Sequence, residues 1–148
     1  MIYNNLLQIY LLMVFSIIMH EISHFFVAVW LGLTNIKLNI GDEFFSVKIG
    51  KLRISPLIFS GNVEVDEESL LSKNKRGIVA FFVSGNIANI VIIIVGLVCV
   101  KISTYFEIII QINIIMVVIN SIPVFGSDVK KICYYLKMKQ DDCLNNMN

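Results

Sequence analysis

The chain has 148 residues, of which 57% are hydrophobic and only 16% are charged, and its mean hydropathy is +0.79. Soluble domains carry about 25% charged residues, so this composition excludes both a disordered chain and an ordinary soluble domain. A formal net charge of +1 leaves no bulk field to recruit nucleic acid, which we exclude as a partner. The cysteines, Cys99, Cys133 and Cys143, lack C-x-x-C spacing and are interpreted as free thiols. We predict a single membrane domain over residues 1–148.

Three apolar blocks predict three transmembrane helices. The first, residues 6–33, exceeds the about 20 residues that cross a bilayer core, so we expect a tilted helix. A cleaved signal peptide is the alternative, but residues 1–5 contain no Lys or Arg and the apolar run is too long. The second block, 78–100, is rich in β-branched residues, which a helix in lipid tolerates. The third, 105–122, precedes Pro123, where a regular helix cannot continue.

The segment from Pro123 to Asp128 is predicted to unwind because it combines proline with Gly126. Irregular backbone at membrane depth survives only beside a cavity, so this break indicates a place where backbone meets a ligand or an ion. Residues 129–148 are predicted to form an amphipathic helix that acts as an interfacial anchor.

Residues 34–76, between the first two spans, form a polar loop with period-two alternation. We predict a hairpin of two strands, 36–40 and 45–49. The alternation continues over 52–54 and 62–65, and an apolar piece, 57–59, is expected to dip into the membrane interface. The predicted fold class is an α-helical membrane protein with three transmembrane helices and a small β-hairpin or β-sheet insertion between the first two.

Basic residues are distributed unevenly along the chain. Seven Lys and Arg lie in the loop and four in the tail, whereas Lys101 alone lies on the opposite side. The positive-inside rule therefore predicts an N-terminus outside, with the loop and the C-terminal tail in the cytoplasm. The reducing cytoplasm agrees with unpaired thiols in the tail.

His20, Glu21 and His24 form an H-E-x-x-H pattern inside the first predicted span. On a helix, imidazoles at i and i+4 share one face and can bind zinc, while Glu21 flanks the fourth coordination position. Inserting a charged group at mid-bilayer costs about 2.5–3.5 kcal/mol of free energy, so three ionisable residues within a stretch of five need a compensating partner. The alternative is a metal-free cluster with neutral histidines, in which Glu21 is protonated or bonded to a polar residue such as Asn89.

A catalytic zinc needs a third protein ligand, and the chain contains no other histidine, so a carboxylate or thiolate must supply it. Depth along the spans selects Asp128, because Glu107 lies at the outer end of the third block and the loop acids lie at the surface. The alternative interpretation of Asp128 is a cytoplasmic turn or helix-cap residue. Ala28 and Gly32 continue the helix face of His20 and His24 at four-residue intervals. They predict a face for close helix packing, or else are ordinary small residues of a membrane helix.

Taken in order, these motifs resemble the site-2 protease family of intramembrane zinc metalloproteases. The matching segments are 20–24 with Ala28 and Gly32, 55–63, 84–89, and 120–123 with Asp128. The resemblance implies a three-helix catalytic core whose zinc is held by two histidines and by the aspartate of an Asn-x-x-Pro-x-x-x-x-Asp-Gly motif. Asn120, Pro123 and Asp128 keep that spacing.

The resemblance also implies that Asn89 and Asn120 hold the substrate backbone or the tetrahedral intermediate. It implies further that the loop around Gly61 pairs with extended substrate as an added strand. Strand addition is physically reasonable because a helical substrate must unwind before attack, and an open strand edge replaces the backbone bonds it loses.

Two positions depart from the family pattern. Val129 follows Asp128 where the family has glycine, and Asn86 follows Gly85 where the family usually has proline. A β-branched residue is poorly suited to positive φ, so either the backbone at the aspartate differs or Gly126 supplies the bend.

We therefore predict an intramembrane zinc endopeptidase that hydrolyses a peptide bond within or next to a transmembrane segment or leader peptide, with Zn²⁺ as cofactor and Glu21 activating water. Its predicted partners are that membrane substrate, the lipid bilayer, and either an accessory membrane protein or a second copy. The alternative is a weak or inactive relative that binds transmembrane segments as a regulator or chaperone, as Val129 and the minimal size of the chain indicate. A secondary transporter ranks last because three spans give no inverted repeat.

Overall fold

The structure is a computed structural model that describes residues 2–41, 46–124 and 126–145. Within these ranges the elements run in the order α1 (Ile2–Trp30), β1 (Lys37–Ile40), β2 (Val47–Ile49), β3 (Leu52–Ile54), β4 (Gly61–Glu64), α2 (Glu67–Ser72), α3 (Lys75–Cys99), α4 (Tyr105–Ser121) and α5 (Asp128–Asn145). Cys99 and Cys133 are free thiols. The side chain of Cys143, the predicted strand start at 45 and the tail end, 146–148, lie outside the description.

In the part of the chain that the structure describes, two helices are long and apolar enough to cross a membrane, over Leu6–Trp30 in α1 and Lys75–Cys99 in α3. The third predicted span corresponds to α4, which has 17 residues and, at about 1.5 Å per residue, is a few ångströms shorter than a typical bilayer core. Its crossing stays a prediction.

The helices expose large apolar side chains and bury polar ones, although an apolar core lies between helices and sheet. Large apolar side chains are exposed along the outside of α1, α3 and α4, among them Phe26, Ile94 and Ile115. Polar side chains such as Ser16 and Asn113 are fully buried between helices, where Asn113 Nδ2 donates to Ser16 Oγ at 2.9 Å. Together with the two long apolar helices, this pattern suggests a membrane protein, since lipid solvates apolar surface and bonded polar groups stay inside.

The end of α1 corrects one prediction. Gly32 has φ +64°, and the following Leu33 N–H donates to the Ala28 carbonyl at 3.0 Å, so Gly32 closes the helix as a left-handed C-terminal cap. No atom lies within 4 Å of a Cβ built at Gly32. Its predicted place on a helix-packing face is therefore wrong, whereas Ala28 is fully buried in the apolar core.

The loop folds into a four-stranded sheet with the order β2-β3-β1-β4. The predicted hairpin between the first two strands is wrong, because β1 pairs in parallel with β3 and antiparallel with β4 and does not adjoin β2. The local hairpin is β2–β3, closed at Gly50 with φ +62°. Strand β1 is an inner strand of the sheet, with β3 on one side and β4 on the other. Its side chains Leu38 and Ile40 are buried.

The insertion that contains the sheet extends along α1, from the C-terminal end of the helix to Tyr10. Asp66 N–H donates to the Thr34 carbonyl at 3.0 Å, near the helix terminus. At the other end, Ile58 N–H donates to Tyr10 Oη at 3.1 Å, and the Phe59 ring meets that of Tyr10 edge-on. Tyr10 precedes the end of α1 by roughly 30 Å of helix. The apolar piece 57–59 thus lies beside the N-terminal part of α1, and its predicted place at the membrane interface stays a prediction.

Two further features lie near the site: the start of α2 and the break between α4 and α5. The short helix α2 was not predicted; its cap is Asp66, whose side chain accepts from Ser69 N–H at 3.1 Å. The predicted break between α4 and α5 is confirmed, since α4 ends at Ser121 and Gly126 has φ +85° before α5 begins. The break turns the chain so that the first residue of α5 faces α1 and α3.

Candidate metal centre

His20, His24 and Asp128 meet at one buried point, with each residue 4% exposed. The two Nε2 atoms lie 3.2 Å apart, and Asp128 Oδ2 lies 3.3 Å from His20 Nε2 and 3.4 Å from His24 Nε2. A tetrahedral zinc ion with ligand bonds of about 2.0–2.1 Å separates its ligand atoms by about 3.3–3.4 Å. The triangle therefore has the size of one face of a zinc coordination tetrahedron.

The electrostatics of this triangle also fit a cation. Burial alone would raise the pKa of Asp128, but the imidazoles of His20 and His24 outweigh it and hold the pKa of that carboxyl well below its usual range. Although the two Nε2 atoms are its neighbours, Oδ2 makes no hydrogen bond of good geometry within the described part of the chain. A buried carboxylate oxygen that faces two imidazole nitrogens is a donor set for zinc.

Behind His24, main-chain and hydroxyl groups of α3 hold the ring. His24 Nδ1 lies 2.7 Å from the Phe81 carbonyl, which can only accept, so Nδ1 carries the proton. Ser84 Oγ lies 3.1 Å from the same nitrogen and itself donates to the Phe81 carbonyl at 2.7 Å. The Nε2 atom is thereby left unprotonated in the neutral ring and is available as a metal ligand.

Behind His20, the support is a side chain. Asn89 is fully buried, and its amide nitrogen lies 3.0 Å from His20 Nδ1, while its Oδ1 has no partner in the described structure. Turning the amide by 180° lets Oδ1 accept from Nδ1–H and leaves Nε2 as the ligand atom. The structure therefore places Asn89 across the ring from the metal-binding nitrogen, and against His20 instead of Glu21.

Two glycines allow backbone to approach the site closely. A Cβ built at Gly85 would collide with the rings of both His20 and His24, and one at Gly61 would collide with Glu21 Cγ. The α3 backbone and strand β4 thus lie directly against the H-E-x-x-H motif. The sequence gives no separate indication that Gly85 approaches the histidines, apart from its position four residues before Asn89 on the same helix face.

Glu21, Asn120 and Asp128 line one cavity of about 510 Å³ together with His20 and Gly61. Glu21 is buried, and Asn120 Nδ2 lies 3.5 Å from His20 Nε2, so α4 brings this amide to the metal-binding side of the ring. The structure thus gathers His20, Glu21, Asp128, Asn120 and Gly61 around one space. Asn89 is not among the residues that line it.

Lys131 also belongs to this site, although the sequence pattern did not indicate it. Its Nζ lies 3.9 Å from Asp128 Oδ1 and 6.0 Å from the centroid of the Phe82 ring. The position three residues after Asp128 on α5 places its side chain on the same helix face. This cation faces the carboxylate oxygen that is turned away from the histidines.

The two departures from the family pattern are accommodated locally. Val129 lies in regular α5, and Gly126 supplies the positive φ of the turn, so a β-branched residue after Asp128 causes no backbone strain. Asn86 Nδ2 donates to Ser121 Oγ at 3.4 Å and connects α3 to the end of α4. The structural reason for expecting an impaired site at Val129 is therefore removed.

Comparison with known proteins agrees with this geometry. The model of a protein family described as Peptidase family M50 matches residues 8–103, and no curated protein matches the chain. The match covers more than half of the sequence and contains His20, Glu21, His24 and Asn89, but it ends before Asp128. The resemblance inferred from the motifs is confirmed, and the fold itself brings the aspartate to the matched segment.

Proposed function

The chain belongs to peptidase family M50, and on that premise we propose that it is an intramembrane zinc endopeptidase that hydrolyses a peptide bond within or next to a membrane-spanning segment or leader peptide. One observation carries the proposal: His20, His24 and Asp128 converge at zinc-ligand spacing beside the buried Glu21. A catalytic zinc keeps three protein ligands and one open position, which this set provides.

The ligand atoms would be Nε2 of His20, Nε2 of His24 and Oδ2 of Asp128. When bound there, zinc supplies Lewis acidity that polarises the scissile carbonyl and acidifies water. Glu21 accepts the proton of the attacking water and delivers it to the leaving amine. Asn120 Nδ2, on the same side, donates a hydrogen bond to the negative oxygen that develops during attack.

The outer edge of β4 is the place where we propose that the substrate binds. Within the described chain, β4 pairs only with β1, and Gly41 N–H donates to the Ser60 carbonyl at 2.8 Å. Because backbone groups alternate along an antiparallel strand, the N–H and C=O groups of Gly61 and Val63 then point away from β1. An extended substrate that bonds to this edge passes Glu21 at Gly61.

In the membrane arrangement that we propose, α1, α3 and α4 are three spans, with the N-terminus outside and the C-terminal tail in the cytoplasm. The broken chain after Ser121 lies beside the cavity of about 510 Å³, which is where irregular backbone and water are tolerated at membrane depth. We propose the peptidase rather than the regulator or chaperone, because Val129, one of the two reasons for that alternative, is unstrained; the other reason, the small size of the chain, does not separate the two.

The test separates metal binding from proton transfer. Purified protein in liposomes is given a tagged single-span test protein, identified by its capture on Glu21→Gln in native membranes, with and without a chelator. We expect Glu21→Gln to keep its zinc and lose cleavage by at least about 10³-fold, and His24→Ala to lose both. Cleavage by Glu21→Gln at the native rate would contradict the mechanism.

A further inference from the structure

A second cavity, of about 420 Å³, adjoins the metal centre where α5 packs beside the sheet. Its walls are mainly apolar and aromatic, and Phe82 and Tyr135 stack there with ring centroids 5.6 Å apart. The remaining apolar wall is formed by Val63, Val65 and Leu70. Gly126 and Ser127 line both this cavity and the one at Glu21, so the two spaces adjoin at the start of α5.

The register of β4 relates this cavity to the proposed substrate strand. Gly61 and Val63 are two residues apart, so they lie on the same face of the sheet. A Cβ at Gly61 would point into Glu21, and the buried side chain of Val63 lines the second cavity. On an added strand, side chains opposite these two positions point toward the same two places.

We propose that the cavity is a specificity pocket for one large apolar or aromatic side chain of the substrate. That residue pairs with Val63, two positions from the residue that pairs with Gly61 and toward the end of β4 nearest Asp66. The inference rests on the proposed function and sharpens its substrate class: an unwound segment with a bulky apolar residue close to the cleaved bond.

The chemistry of the walls supports an apolar occupant. Leu70 is fully buried and Phe81 and Phe82 nearly so, and their side chains form the floor against which an occupant would pack. A substrate that buries a large apolar side chain against these walls should therefore have a kcat/KM roughly 10- to 100-fold higher than the same substrate with alanine at that position. Glu64, Lys130 and Lys131 also line the cavity, but Glu64 and Lys131 already lie within 4 Å of opposite charges, on Lys37 and Asp128. A charged occupant would compete with those ion pairs and lose its hydration against the apolar floor.

The experiment uses two variants that change the pocket in opposite directions. Val65→Phe narrows it, and Tyr135→Ala widens it. Test proteins carry Ala, Leu, Phe or Trp at each of the three positions on either side of the mapped cleavage site. We expect the native enzyme to prefer Leu or Phe over Ala at one position by roughly tenfold or more, Val65→Phe to shift that preference toward Ala, and Tyr135→Ala to shift it toward Trp.

The matched control is Tyr105→Ala, which removes an exposed tyrosine at the start of α4 and should leave the preference unchanged. A second readout is the affinity of zinc-loaded Glu21→Gln, and of its double variants, for fluorescent uncleaved peptides with Ala or Phe at that position. Cleavage with a preference that both pocket variants leave unchanged would overturn the pocket. The same apolar preference in binding, without cleavage of any substrate by the native protein, would support the pocket and overturn the peptidase.

Discussion

The two histidines of the metal centre have similar surroundings at Nε2, where both face Asp128, and different surroundings at Nδ1. His24 Nδ1 lies against a main-chain carbonyl, that of Phe81, whereas the polar contact of His20 Nδ1 among the described residues is with the side chain of Asn89. A carbonyl of helix α3 is present whatever the residue, so the support of His24 belongs to the fold. The support of His20 depends on a single amide and can be removed by one substitution.

This difference separates steric, side-chain and main-chain contributions to metal binding. The α3 backbone at Gly85 lies against both imidazole rings, and Asn89 contacts the His20 ring alone. Ser84 contacts His24 Nδ1, which the Phe81 carbonyl already binds. We therefore expect the effects of substitution to fall in that order.

Gly85→Ala should have the largest effect. Its Cβ would overlap the rings of His20 and His24, so α3 must move outward or the rings must rotate. We expect zinc affinity, measured by competition with a chromophoric chelator, to fall by more than about 100-fold. Gly77→Ala in the same helix is the control, because no atom comes closer than 3.3 Å to a Cβ there. Equal zinc affinity in the two variants would show that the approach of α3 does not hold the rings.

Asn89→Leu should come next. It keeps the volume of the buried side chain but removes the acceptor for His20 Nδ1–H, and loss of such a partner costs about 10- to 100-fold in metal affinity. Asn89→Asp retains an acceptor oxygen and should stay within about threefold of the native protein in the same titration. If Asn89→Leu binds zinc as tightly as the native protein, Asn89 does not position His20.

Ser84→Ala should have the smallest effect. The hydroxyl lies 3.1 Å from His24 Nδ1, but the Phe81 carbonyl, at 2.7 Å, remains after substitution. We expect a change in zinc affinity of no more than about threefold, since the carbonyl alone fixes the tautomer. A loss as large as that of Asn89→Leu would mean that the two histidines are not supported differently.

The residues that sequence reasoning grouped, and that the structure brings together, are mainly those fixed by local spacing. His20 and His24 share a helix face because they are four residues apart, and the break near Pro123 follows from the chemistry of proline and glycine. Asp128 was selected by depth along the spans, and the turn at Gly126 brings it to the histidines.

The features that sequence reasoning missed depend on contacts between distant segments. Alternation predicted strands near the observed positions, but it contains no information about partners, so the parallel pairing of β1 with β3 was not anticipated. The closeness of Gly85 to the rings depends on how α3 is rotated about its axis. Asn89 has the same residue type whether it faces substrate or supports His20, and only packing decides between the two.

The central claim is that Asp128 and the two histidines bind one zinc ion. X-ray absorption at the zinc edge of the purified protein tests it most directly, with Asp128→Asn as the comparison. We expect two imidazole nitrogens and one carboxylate oxygen at about 2.0–2.2 Å in the native protein, and loss of zinc or of that oxygen in Asp128→Asn. A native spectrum with fewer than two imidazoles, or an identical spectrum in Asp128→Asn, would contradict the account.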